Sequence, residues 1–89
     1  MDLLTQIKNL GGNEFEVVGT AEKMWNSVSF RGARYQFTLL FDEIGDFIER
    51  FNAHEFTMDG HIVADASINQ VVDGVRWELV DIDIVVVEG

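Results

Sequence analysis

The side chains in this sequence with the chemistry for catalysis or metal binding are two histidines, sixteen carboxylates and scattered hydroxyls. His54 and His61 stand near Glu55, Asp59 and Asp65, and imidazole with carboxylate is a donor set that holds divalent metals. Their spacing matches no compact metal motif. His54 falls instead at the end of a helical pattern, where a cation complements the helix dipole, and His61 opens a strand. Asp81 and Asp83 alternate with Ile82 and Ile84, so both project from one face of a strand. That is the geometry of a hard-cation pair or an acid–base pair, and also of the wet face of an ordinary strand. The regular oxygen ligands ending in Glu that define a calcium loop are absent. Ser27, Ser29 and Ser67 lie in no G-x-S-x-G turn and have no His and Asp partners in pattern. Gly11-Gly12 follows a helix, whereas a phosphate-binding turn follows a strand and opens a helix. These residues carry no catalytic signature, so a non-enzyme without metal or cofactor is expected.

Composition narrows the remaining classes. A chain of 89 residues is short enough to make residues 1–89 a single domain, with about 5,300 Å² of accessible surface by the usual scaling. Six Lys and Arg against sixteen Asp and Glu leave a net charge of -10, which argues against direct nucleic-acid binding. The chain has no cysteine, hence no disulfide, thiolate metal site or cysteine nucleophile, and a reducing cytoplasmic location is expected. No basic segment precedes an apolar run at the N-terminus, and no apolar stretch approaches the eighteen or so residues that span a bilayer. No membrane partner is expected.

The elements that must position these side chains can be read from periodicity. Asp2 caps a short first helix with Leu3, Leu4, Ile7 and Leu10 on one face, stopped by Gly11-Gly12. Phe15 and Val17 mark a first strand that gives way to a loop near residues 20–23. Met24, Val28 and Phe30 define a second strand, and Tyr35, Phe37, Leu39 and Phe41 a third. A two-residue turn at Gly32-Ala33 joins them and sets Phe30 against Tyr35, Val28 against Phe37 and Met24 against Phe41. A second helix runs from Asp42 to about Asn52, with Ile44, Phe47, Ile48 and Phe51 as its buried stripe and Gly45 inside it. The last third is a hairpin about Asp73-Gly74 in which Ile68 faces Leu79. A bulge near Val80 or Asp81 then pairs Ala66 with Ile82, Ala64 with Ile84 and Ile62 with Val86, turning Asp81 and Asp83 to solvent. The expected architecture is a two-layer α+β fold of order α-β-β-β-α-β-β, an antiparallel sheet of about five strands with two helices on one face.

Three surfaces of this fold are candidates for binding. Asp42, Glu43, Asp46 and Glu49 oppose the apolar stripe of the second helix, and with Asp81 and Asp83 they form an acidic surface suited to a basic protein partner. The outward face of the hairpin carries Trp25, Arg31, Arg34 and Leu40, with Arg31 opposite Arg34. Like charges so placed destabilise unless an anion lies between them. This face is the alternative site, for a small ligand or a structural contact. The terminal run Ile84 to Val87 needs cover on both sides, and a homodimer through that strand supplies it if the strand is at an edge. In composition alone, an acidic, cysteine-free α+β chain of this size is similar to the phage inhibitors of nucleic-acid-handling defence systems, the anti-CRISPR and antirestriction proteins. That resemblance implies an acidic inhibitor that blocks a nucleic-acid-binding groove. A small hydrolase or metal-dependent enzyme is the remaining alternative.

Overall fold

Four long alternating segments build a sheet, and two short amphipathic segments cover one side of it. The computed structural model describes residues 2–10 and 14–88. The elements run α1 (Leu3–Lys8), β1 (Phe15–Asn26), β2 (Arg31–Phe41), α2 (Phe47–Ala53), β3 (His61–Asp73) and β4 (Glu78–Glu88). All pairings are antiparallel and the strand order is β1-β2-β4-β3. The fold is α+β, with four strands where five were expected. Among the described residues no helix is long and apolar enough to cross a membrane.

The missing strand boundary lies in β1. Residues 20–23, expected as a loop, continue the strand, because Thr20, Ala21, Glu22 and Lys23 each have a partner on β2, in Phe37, Gln36, Tyr35 and Arg34. The backbone groups they turn toward β2 are thereby paired, while those on the outer edge of this edge strand face solvent. The register shifts between Val17 and Gly19. This bulge at Val18 moves the helix-facing positions from Phe15 and Val17 to Thr20, Glu22 and Met24.

The turn of the first hairpin also moves. It spans Ser27 to Phe30, closed by the Ser27 N–H donating to the Phe30 carbonyl at 2.7 Å, while the Ser27 hydroxyl accepts the Phe30 N–H at 3.1 Å. Gly32 is therefore a strand residue, paired with Trp25 on one side and Val87 on the other. A Cβ there would run into the Val86 carbonyl oxygen and the Trp25 ring, so the glycine serves close approach within the sheet. Val28 and Phe30, expected in the core, are exposed at the turn.

Helix α2 begins five residues later than expected. Gly45 has φ 54°, a left-handed conformation that ends any helix running through it, so residues 42–46 form a loop. Asp46 stands at the N-cap without a side-chain cap bond, in place of Asp42. At α1 the expectation holds: Asp2 accepts the Thr5 N–H at 2.7 Å, and this bond holds the Asp2 carboxyl below its usual value. The Gly11-Gly12 stop lies outside the described residues.

In the second hairpin Asp73 pairs with Glu78, and the Gly74 N–H donates to the Trp77 carbonyl at 2.7 Å. The tip is thus Val75-Arg76 instead of Asp73-Gly74. Ile68 faces Ile82 and Ala66 faces Ile84, with register shifts at Val63/Asp65 and Ile68/Gln70. The bulges sit on β3, where one was expected on β4. β4 is bonded on both edges, and an extra residue in it would break two ladders, whereas one in edge strand β3 breaks only one. The same central position leaves Ile84 to Val87 with no free edge, which closes the strand-edge route to a homodimer.

The helix-facing side chains of β2 and β4 form the core. Leu39, Phe41, Val80, Ile84 and Val86 are completely buried, and pack with Leu3 and Ile7 of α1 and Phe47 and Phe51 of α2. A chain of rings runs through it, Phe15 to Phe41 at 5.1 Å, Phe41 to Phe47 at 4.8 Å and Phe51 to Phe56 at 5.1 Å between centroids. Buried Gln6 ties α1 to the loop after α2, accepting the Thr57 N–H at 3.0 Å and donating to the Thr57 carbonyl at 2.6 Å. The helices, of six and seven residues, are each only about 10 Å long, against about 40 Å for the twelve residues of β1. Met24 is consequently 65% exposed beyond their cover. The total surface, 5910 Å², exceeds the globular expectation of about 5,300 Å² because the molecule is elongated, 46 × 19 × 16 Å.

Gly32→Ala is expected to lower stability by about 1–3 kcal/mol in urea unfolding, while Gly19→Ala, whose Cβ would meet Thr38 at an ordinary 3.4 Å, leaves it unchanged or raised. Tyr35 supplies a pH test. Burial, with Glu22 opposite, pushes its hydroxyl pKa above the ordinary 10.0. The native state then holds this proton after the unfolded chain has lost it, so the contribution is complete below about pH 10 and falls as pH rises through the native value. Tyr35→Phe should flatten that alkaline loss in thermal melts.

Candidate functional site

With both helices on one face, the other face of the sheet has no covering layer among the described residues. Strand alternation directs Gln36 and Thr38 of β2 and Asp81 and Asp83 of β4 onto this open face, with Thr38 opposite Asp81 and Gln36 opposite Asp83. Together with Gly19, Ala21 and Asn69 they line a cavity of about 320 Å³. The two edge-strand bulges frame it. The shift after Val17 brings Gly19 opposite Thr38, where the absence of a side chain leaves room, and the shift after Ile68 inserts Asn69. Bulges recur beside binding sites because an extra residue re-aims its side chain.

The polar groups of the cavity are organised around the two carboxylates. The Thr38 hydroxyl donates to Asp81 Oδ1 at 2.8 Å, and Asn69 Nδ2 donates to Asp83 Oδ2 in a short hydrogen bond. Asp83 is only 8% exposed, and its Oδ1 is buried with no hydrogen-bond partner. A buried acceptor left unpaired costs about 1–3 kcal/mol, more when charged. The expectation that Asp81 and Asp83 turn away from the helices holds, but their exposure is corrected: Asp81 is half-buried and Asp83 is buried. Gln36 and Ser67 flank Asp83 on the neighbouring strands, and the bulged Asn69 closes over it.

The remaining site candidates fall elsewhere. Asp42, Glu43 and Asp46 are exposed in the loop before α2, and Glu49 is exposed in its first turn. They belong to the helical layer, so the six acids expected on one surface are divided between two faces. Asp42 instead joins Glu14 and Glu16 around a cavity of about 240 Å³, with Phe15 and Leu40. Trp25 lies half-buried on the open face, as expected, and shares a cavity of about 350 Å³ with Lys23, Arg34 and Val85. Its expected companions are separated from it. Leu40 pairs with Glu16 near the far end of β1, and Arg31 pairs with Asn26, so Arg34 faces Lys23 and not Arg31. His54 Nε2 lies 3.3 Å from Gln6 Oε1 and its ring stands edge-on to Phe56, while His61 Nδ1 contacts the Asp59 carbonyl at 2.9 Å. Among the described residues no three His, Cys, Asp or Glu side chains gather as a metal site would need.

Asn69 and Gly19 escaped the sequence reading because each matters through a bulge. The signal was present: Ile68 and Val71 are both helix-facing at a spacing of three, an interruption of the two-residue period. Comparison of the chain with protein-family models, curated proteins and solved structures finds no match. What the fold and site define is an antiparallel α+β protein with an acid-centred polar cavity on its uncovered sheet face.

Replacing Asn69 by Ala is expected to cost about 1–3 kcal/mol, because it strips the bonded oxygen of a buried carboxylate. In an Asp83→Asn background the loss should shrink; additive losses in a double-mutant cycle would show that Asn69 does not hold the carboxylate.

Proposed function

We propose that the protein is a non-enzymatic binding module that presents carboxylates to a basic protein partner. The observation that carries this reading is a cluster of carboxylates at one end of the sheet. Phe15, Phe41, Glu78 and Asp73 form one transverse row through the strand pairings. Around that end stand Glu14, Glu16 and Asp42, with the loop acids Glu43 and Asp46 following. The Ile44 N–H donates to the Glu78 carboxylate at 3.3 Å, drawing this loop against the sheet. Toward the other end lie Lys23, Arg31 and Arg34, half of the six Lys and Arg in the chain, together with Glu22, Asp65 and Glu88, which offset them. The molecule is 46 Å long, several times the screening length of about 8–10 Å at ordinary ionic strength. The field of the acidic end therefore reaches an approaching partner little altered by the charges at the other end.

Such an arrangement suits electrostatic capture of an Arg- and Lys-rich groove, and a module bound there would exclude nucleic acid from it, in the manner of an acidic inhibitor. A second reading rests on the cavity of Lys23, Trp25, Arg34 and Val85. Two cations set opposite each other beside an indole suit a small anionic ligand on the open face.

The first reading is tested by removing the same number of charges from two different places. Glu14→Gln, Glu16→Gln, Asp42→Asn and Asp46→Asn together should slow association with a fluorescent Arg- and Lys-rich peptide by about tenfold at low salt. Equal neutralisation at Glu55, Asp59, Asp65 and Glu88 should slow it by less than about threefold, with the difference vanishing in high salt. Equal slowing by both sets, read by stopped-flow fluorescence, refutes a dedicated acidic end.

A further inference from the structure

We infer that the Asp81 and Asp83 cavity on the open sheet face is a receptor for an arginine side chain of the partner. The inference rests on the protein-binding reading and deepens it by naming the group recognised. Its central observation is Asp83 Oδ1, a carboxylate oxygen buried without a hydrogen-bond partner on a side chain that lines an open cavity. The other oxygen of Asp83 and one oxygen of Asp81 are already held by neutral donors, Asn69 and Thr38. These bonds fix the two carboxylates in orientation. The cavity is centred on two carboxylates and asks for a donor that carries positive charge.

A guanidinium fits this description better than the other cations. It is planar and forks its N–H groups toward two acceptors at once, as two carboxylates on alternate residues of one strand require. The β1 wall of the cavity, at Gly19 and Ala21, is low enough to admit a flat group, and about 320 Å³ is far more room than a bare metal ion takes. A hard divalent cation would want six or more oxygens in its shell, yet here Asn69 and Thr38 point N–H and O–H toward the carboxylates. Asn69 and Gln36 are both exposed at the rim; with Asn69 held on Oδ2, Gln36 is the side chain that gives way as a donor approaches Oδ1.

The test uses the full chain and the amide of N-acetylarginine, a single guanidinium, in high salt, where the field of the neighbouring acidic end is screened within about 3 Å. Titration followed by two-dimensional amide NMR should give saturable shifts confined to residues 19–21, 36–38, 69 and 81–83. Asp83→Asn should weaken the affinity at least tenfold. Ala21→Leu, an exposed edge-strand substitution that leaves both carboxylates in place, should block the cavity to a similar extent. It keeps the test decisive if Asp83→Asn does not fold. Shifts that spread over the exposed acids without saturating overturn the proposal, as does unchanged affinity in the folded variants. Equal or tighter saturation of the same residues by N-acetyllysine amide, Ca²⁺ or Mg²⁺ overturns the guanidinium assignment. In high salt the four substitutions at the acidic end should leave this titration unaltered, so failure of the cavity and failure of the acidic end are read separately.

Discussion

The position of β4 between β2 and β3 is the constraint on which the rest of the structure depends. A strand hydrogen-bonded on both edges, with its helix-facing residues Val80, Ile82, Ile84 and Val86 all buried, fixes the register of both hairpins at once. It admits no bulge of its own, so irregularity is displaced to β1 and β3. It also decides which side chains face away from the helices, and so sets Asp81 and Asp83 in the middle of the sheet. Their burial follows from having a neighbouring strand on either side. The polar cavity is a consequence of making a strand with alternating acids central.

Unequal cover of the two faces gives the molecule its chemistry. Two helices of six and seven residues are enough to bury the ring cluster and the aliphatic side chains beneath it. They leave the opposite face without a second layer. An antiparallel sheet tolerates that when the open face is polar, and here Gln36, Thr38, Gln70, Ser67, Asp81 and Asp83 supply the polarity. The two tryptophans protect weak points of the hairpins. The Trp25 ring covers Gly32, and the Trp77 ring covers Gly74, so that neither glycine has room for a side chain. An aromatic ring over a strand glycine restores the packing that the glycine forfeits.

Net charge alone would describe this protein as uniformly repulsive to anions, but the strand registers gather carboxylates at one end and set three cations about the first hairpin. Acids collect where β1 begins and β2 ends, and cations collect toward the first hairpin turn. Lys23 and Arg34 share a cross-strand pair, an arrangement that costs stability on an open face.

The amino-acid sequence determined what local physics controls. Asp2 followed by Leu3 and Ile7 makes a capped amphipathic helix, alternating apolar residues make strands, and the phase conflict between Ile68 and Asp81 demands a bulge somewhere in the last hairpin. The α+β class and the side of the sheet to which Asp81 and Asp83 point follow from these. Tertiary structure decided the rest, because the deciding quantities are distances between segments remote in sequence. Gly32 reads as a turn residue until Trp25 and Val86 are seen against it, and Gly45 reads as helical until its positive φ is known. The bulge could fall on either strand by periodicity, and only the central place of β4 assigns it to β3. That assignment puts Asn69 on Asp83, and a carboxylate that local pattern would leave in water becomes the buried centre of a cavity.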